Sequence, residues 1–181
     1  LALWQLRQNS ELLFVGDAGT TEASRPTLRT GIEALVQYRA KSWLALDASA
    51  GVTRARFTDV EDAGNYVPNA PNAVVAAGVA VDNLNQWYGA LRWRYFGPRP
   101  LIEDNSVSSS ATSLVNARVG YAFDKRIRLQ LDAFNLFNRK DHDIDYFYTS
   151  RLPGEPAAGV NDIHFHPVEP RSLRLTLIAN F

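Results

Sequence analysis

The chain has 181 residues, of which 46% are apolar, 11% aromatic and 21% charged, and its 19 Lys and Arg balance 19 Asp and Glu to zero net charge. That length supports one domain, or part of one, with a real core, which excludes disorder, and the neutral balance argues against a nucleic-acid partner held by a general positive field. Cysteine is absent, so disulfide scaffolds, thiolate metal sites and cysteine catalysis drop out. Methionine is absent too, and the apolar opening is already polar at Arg7, so the chain reads as processed from, or cut out of, something longer. The longest uncharged stretch, residues 66–81, contains Pro68 and Pro71 and falls short of the roughly 18 to 20 apolar residues a membrane helix needs.

Helical spacing is nowhere sustained, whereas period-2 alternation recurs along the chain and predicts an all-β protein. Residues 1–15 put Ala2, Trp4, Leu6, Leu12 and Phe14 in one parity around a polar waist at Gln8 and Ser10, which predicts one long strand. Next, Ile32, Ala34, Val36 and Tyr38 oppose Arg29, Glu33 and Gln37, and Leu44, Leu46, Ala48, Ala50 and Val52 oppose Asp47, Ser49 and Thr53. Arg54 and Arg56 then fall on the apolar line of that strand, which reads as strand projecting beyond a membrane. Residues 73–81 are apolar on both faces, with small Ala76, Gly78 and Ala80, which reads as close packing against something inside. Further on, Trp87, Leu91, Trp93 and Tyr95 oppose Arg92 and Arg94; Val115, Ala117, Val119, Tyr121 and Phe123 oppose Asn116, Arg118 and Gly120. Ile127, Leu129, Leu131 and Ala133 oppose Arg126, Arg128, Gln130 and Asp132, and Leu173, Leu175, Leu177, Ala179 and Phe181 oppose Ser172, Arg174, Thr176 and Asn180. The total is about eight strands.

The connections alternate in length. Tight links at residues 39–42, 82–85 and 124–125 interleave with long ones at 16–26, 59–71, 98–112 and 139–169. A soluble sandwich has no reason to gather its long loops at one end, whereas an antiparallel transmembrane β-barrel has short periplasmic turns and long extracellular loops. The face opposite the apolar one is arginine-rich: Arg29, Arg92, Arg94, Arg118, Arg128 and Arg174, with Glu33, Asp47 and Asp132, suit a lumen lined by opposed charges. An arginine facing lipid would cost roughly 2–4 kcal/mol near the midplane, and a solvated sheet face is the plainer alternative. Trp4, Trp43, Trp87, Trp93, Tyr38, Tyr95, Tyr121, Phe123 and Phe181 lie mostly near strand ends, as aromatic girdles would.

The last strand, Leu-Arg-Leu-Thr-Leu-Ile-Ala-Asn-Phe181, resembles the assembly signal of bacterial outer-membrane barrels, with Leu173, Leu175, Leu177 and Phe181 at alternate positions. Upstream, Arg128-Leu-Gln-Leu-Asp-Ala-Phe-Asn135-Leu136-Phe137-Asn138-Arg139-Lys140 resembles the penultimate strand of TonB-dependent receptors, and Arg29-Thr-Gly31-Ile32-Glu33 with its tight turn resembles their recurrent hairpin. The resemblance implies that residues 1–181 are the C-terminal part of a barrel of about 22 strands, with the plug domain and its TonB contact outside this chain. It implies localisation in the cell outer membrane and uptake of a scarce, bulky ligand: an iron chelate, cobalamin or a glycan. Its implied partners are outer-membrane lipid, the barrel assembly machinery, TonB through the plug, and that small-molecule or glycan ligand. A free-standing eight-stranded barrel with a structural or adhesive role is the alternative.

Candidate ligand contacts fall in the last long connection, which holds all three histidines together with Tyr146, Phe147, Tyr148 and Arg151. Aromatics and arginine could stack on and grip an anionic chelate or a glycan ring, giving Tyr146, Tyr148, Arg151, His164 and His166 as candidates. Extended backbone puts His164 and His166 on one side of the chain, but two imidazoles lack the third ligand a metal needs, so no metal or cofactor is assigned. Catalytic motifs are lacking, with no Gly-x-Ser-x-Gly and no His-Glu-x-x-His. An outer-membrane hydrolase built on a loop histidine would need a Ser or Asp orienting that ring.

Overall fold

The computed structural model describes residues 1–15 and 20–180. Twelve strands and no helix make up the described residues: β1 (Ala2–Gln8), β2 (Leu12–Val15), β3 (Thr20–Ala23), β4 (Thr27–Lys41), β5 (Leu44–Phe57), β6 (Ala73–Leu84), β7 (Trp87–Phe96), β8 (Thr112–Ala122), β9 (Ile127–Phe134), β10 (His142–Ser150), β11 (Val160–Pro167) and β12 (Ser172–Ala179). Eight of them form one antiparallel sheet in the order β1-β4-β5-β6-β7-β8-β9-β12, so every neighbour in the sheet is the next sheet strand along the chain. That is the up-and-down order of a barrel wall, with short turns at one end and long connections at the other. Its edges, β1 and β12, do not pair with each other, so these eight strands do not close into a small barrel. Rows of paired residues slide steadily across the sheet: Leu173, the second residue of β12, lines up through Ala133, Ala117, Leu91, Val79 and Leu46 with Tyr38, the twelfth of β4. Such a stagger is the shear that strand tilt imposes on a barrel.

Two expectations are corrected. Residues 1–15 are not one strand: β1 pairs with β4 in the sheet, while β2 leaves it after the polar break at residues 9–11 and pairs with β3 as a separate hairpin. Connection 139–169 is likewise no plain loop, because β10 and β11 form a second hairpin inside it. The tight turn after β6 explains its own sequence: Asn85 and Gln86 both take positive φ, the backbone that matches the twist of a two-residue hairpin and that asparagine tolerates.

Pairing fixes the two faces of the sheet. One carries Ile32, Val36, Tyr38, Leu46, Val79, Leu91, Val119 and Leu131 in register with Leu173, Leu175 and Leu177; those three leucines are 69%, 68% and 68% exposed and pack against no second sheet. A sandwich would have buried them. The buried hydrophobic residues among those described, Ala55, Phe57, Val67, Leu101 and Val168, all lie at the loop end. On this face Trp87, Tyr121 and Phe123 cluster edge-to-face at 5.0 and 5.1 Å beside the short turns, and Trp93 with Tyr95 lies toward the other end. The six to eight residues between the two groups span about 20–27 Å of strand, close to the roughly 25 Å apolar band of a bacterial barrel.

The opposite face is polar, and Trp4 belongs to it: its register partner is Gly31, in line with Arg29 and Glu33, and a Cβ on Gly31 would meet the indole at 2.6 Å. Trp4 is therefore no girdle residue, because Leu3, paired with Ile32, takes the apolar side of β1. Phe181 lies outside the described residues.

Candidate ligand-binding site

The polar face is an ion-paired wall. Asp132, buried at the centre of the row Arg118–Asp132–Arg174, accepts from Arg118 Nε at 2.6 Å and from Gln130 at 2.8 Å, with Arg174 at 3.5 Å. Arg92 pairs with Asp47 one strand further away, and Gly78, which sits between them in the row, leaves the space its guanidinium crosses; a Cβ at Gly78 would collide with it. This gives the small residues of β6 a local reason: part of what they pack against is a wall arginine. Arg29 meets Glu11 at 2.5 Å, which ties the top of β4 to the exit of β1. Glu33, Arg94 and Arg128 share the face, and none of them forms an ion pair among the described residues.

Above the wall the long connections form one linked layer. Arg25, just before β4, reaches Asp59 at 3.5 Å, Glu61 at 3.7 Å and Glu103 at 2.7 Å, and its guanidinium lies 4.1 Å over the Phe57 ring. The β7–β8 connection in turn holds the β10–β11 hairpin: Arg99 pairs at 3.2 Å with Asp145, which is 1% exposed and also lies 2.5 Å from His142 Nδ1. The His142 ring stacks on Phe165 at 3.6 Å. Asn135 closes the exit of β9 in the left-handed region at φ 47°: its side-chain amide donates to the carbonyls of Arg139 and Glu169, and its carbonyl accepts from the Arg139 N–H. Every polar group of that side chain is used, which explains why an asparagine stands at the first position of the Asn-Leu-Phe-Asn turn.

The hairpin sorts the expected ligand contacts. Tyr146, Tyr148, His164 and His166 share one face of it, with Tyr146 paired to His164 and the Tyr148 ring stacked on His164 at 3.8 Å. Nε2 of His164 is buried without a hydrogen-bond partner. Arg151 is not part of that face; it lies exposed in the hairpin tip, its Nε donating to the Glu155 carbonyl. His166 instead lines a cleft of about 650 Å³ where the hairpin base meets the wall, together with Arg94, Asn116, Asn135 and Asp143. Among the described residues no three His, Cys, Asp or Glu side chains gather as a metal-holding group.

The orienting acid that a hydrolase would need is present, since Asp145 lies against His142. Asp145 is shared with Arg99, however, and the His142 ring is covered by Phe165, so the pair works as a clasp between two connections. The ion pairs of Arg25 and the Arg99–Asp145 pair carried no signal in the sequence, because their partners lie 34 to 78 residues apart.

A family model described as TonB dependent receptor-like, beta-barrel, matches residues 1–136. A pesticin receptor of Yersinia enterocolitica is 27% identical over 124 residues, which are 65% of this chain and 18% of the relative. Among solved structures, the ferric-catecholate import receptor Fiu of E. coli K12 superposes with a TM-score of 0.73 at 18% identity, over 99% of this chain and 24% of that one. The siderophore receptor PiuA of Acinetobacter baumannii does so at 0.71 and 14% identity, over 98% of this chain and 25% of that one. The chain thus spans about a quarter or less of the length of these proteins, and the likeness to solved structures is one of fold. With the staggered antiparallel wall, the paired polar face and a family match over most of its length, the chain belongs to the TonB-dependent receptor β-barrel family.

Proposed function

We propose that this chain is the C-terminal part of the barrel of an outer-membrane TonB-dependent receptor that takes up a bulky ligand, with an iron chelate of the siderophore class as the leading candidate and cobalamin or a glycan as the others. The reading puts the apolar face against lipid and the polar face, with Arg29, Glu33, Arg92, Arg94, Arg118, Arg128, Asp132 and Arg174, around the lumen. Short turns then lie in the periplasm and the linked connections outside the cell. Leu173, Leu175 and Leu177 present the strand read by the barrel assembly machinery, and TonB acts through a plug domain outside this chain.

The observation that supports a ligand site is the cleft between wall and hairpin, lined by Arg94 and His166; Tyr146, Tyr148 and His164 share the hairpin face with His166 but do not line that cleft. A concave site with convergent polar groups suits a ligand carrying oxygen donors, and the Tyr148/His164 stack further along the hairpin offers a flat surface to a ligand that is partly aromatic. Siderophore receptors among the similar structures make the iron chelate the first class to test. The test is binding and uptake by the full-length receptor of a panel of ferric chelates, haem, cobalamin and oligosaccharides. Replacing Tyr146, Tyr148 and Arg151 together by alanine is expected to weaken ligand binding by about 2–4 kcal/mol in total while barrel assembly stays intact. Unchanged affinity and uptake would remove the hairpin from the site, and a receptor that binds nothing in the panel would favour a structural barrel.

A further inference from the structure

The apolar face changes character abruptly at the loop end of β1, β4 and β5. Leu3, Ile32 and Val52 form the last apolar row; the next row on that face is Gln5, Thr30 and Arg54, and the one beyond is Arg7, Leu28 and Arg56. Eight residues separate Leu44 from Val52 on β5, about 27 Å of strand, so the arginines begin where a hydrocarbon layer of about 25 Å would end. Arg7 and Arg54 are exposed, and among the described residues neither has a hydrogen-bonding or ionic partner. The Arg56 guanidinium lies 3.6 Å over the Tyr66 ring, and its NH1 donates at 2.7 Å to the carbonyl of Ala55 alone. The two arginines of β5 also open onto a cleft of about 310 Å³ lined by Tyr66, Asn72, Arg99 and Ser108, with no carboxylate in its lining. Several arginines of the loop layer meet acids, three for Arg25 and one each for Arg29, Arg99 and Arg139, whereas Arg151 in the hairpin tip donates only to a carbonyl. On the membrane placement above, these cations without an acid lie at headgroup depth, where they can take an anion from outside the chain.

We propose that Arg54 and Arg56, with Arg7 beside them, bind the phosphate groups of lipid in the leaflet at the loop end, a phosphate seating at the mouth of the Tyr66–Ser108 cleft. The proposal rests on the membrane placement given above. Arginine suits the role because its planar fork holds two phosphate oxygens and keeps its charge at any physiological pH. The same contacts would pin β5 and, through Tyr66, the β5–β6 connection to the membrane surface, and so hold the layer that covers the wall.

The test uses the full-length receptor in nanodiscs of phosphatidylcholine doped with either bisphosphorylated or dephosphorylated lipid A, with retained lipid counted by native mass spectrometry. The wild type is expected to retain the bisphosphorylated form selectively, and Arg54→Gln/Arg56→Gln to retain it about tenfold less, in line with the loss of two phosphate-facing charges. Arg54→Lys/Arg56→Lys should recover most of the retention, and heat-modifiable gel mobility reports that each variant has a folded barrel. Equal retention of the two lipids, or equal retention by wild type and the Gln variant, overturns the proposal while leaving the membrane placement standing. Displacement of the lipid by millimolar inorganic phosphate would show an ordinary phosphate site and overturn it too. A receptor absent from the outer-membrane fraction of cells would sink the membrane placement and this proposal together.

Discussion

Asp145 offers the most demanding test of how the connections are held over the wall. Its carboxylate is 1% exposed and serves two partners at once, Arg99 at 3.2 Å and His142 at 2.5 Å. Asp145→Ala removes both contacts and leaves Arg99, whose side chain is 11% exposed, as a nearly buried cation with no acid beside it. Removing one partner of a buried pair costs about 3–5 kcal/mol; the low end applies here because water still reaches Arg99 and His142. The loss is local, because β10 and β11 pair with each other and with no strand of the main sheet. A local cost of about 3 kcal/mol raises the open population of the hairpin by about a hundredfold. Hydrogen exchange of the full-length receptor should then accelerate by about that factor in peptides covering residues 142–167 and stay unchanged in β4 to β8. Asp143→Ala, which removes an exposed carboxylate two residues away, is the control and should shift exchange by less than threefold, as surface changes usually do. Exchange in the hairpin that rises no more than in the control would refute the clasp, and acceleration spreading in step through the sheet would refute the independence of the hairpin.

Two further predictions concern the wall. Leu175→Arg puts a charge on the apolar face between Leu131 and the sheet edge and is expected to cost about 2–4 kcal/mol in folding into lipid vesicles, whereas Thr176→Arg, one residue along on the polar face, should fold at nearly wild-type yield; equal yields would show that the faces are misassigned. Gly78→Leu drives a side chain into the space crossed by Arg92 and should break its pair with Asp47, lowering the temperature at which the barrel loses its heat-modifiable mobility by several degrees, whereas Gly51→Ala, where an added Cβ meets only the Glu33 side chain at 3.6 Å, should leave that temperature unchanged.

Much of this architecture is local information. Alternation along a strand is set by the two-residue repeat of the backbone, so the sheet strands, their apolar and polar faces from β4 onward, the tight turns and the strand ending Leu173-Arg-Leu175-Thr-Leu177 are all legible residue by residue. What local pattern leaves ambiguous is β1, where Leu3 and Trp4 are both apolar and either parity could face out; pairing with β4, which sets Leu3 opposite Ile32 and Trp4 against Gly31, decided it. The break at residues 9–11 and the hairpin inside 139–169 were equally hidden, because a short strand that pairs only with its neighbour needs no apolar face of its own. The clasps at Arg25 and Asp145 and the reach of Arg92 over Gly78 lie furthest from the sequence. Their ion pairs Arg25–Asp59, Arg25–Glu103, Arg92–Asp47 and Arg99–Asp145 join residues 34 to 78 positions apart, and a charge acquires so distant a partner only when the shear of the sheet and the folding back of the connections bring the two to hydrogen-bonding distance.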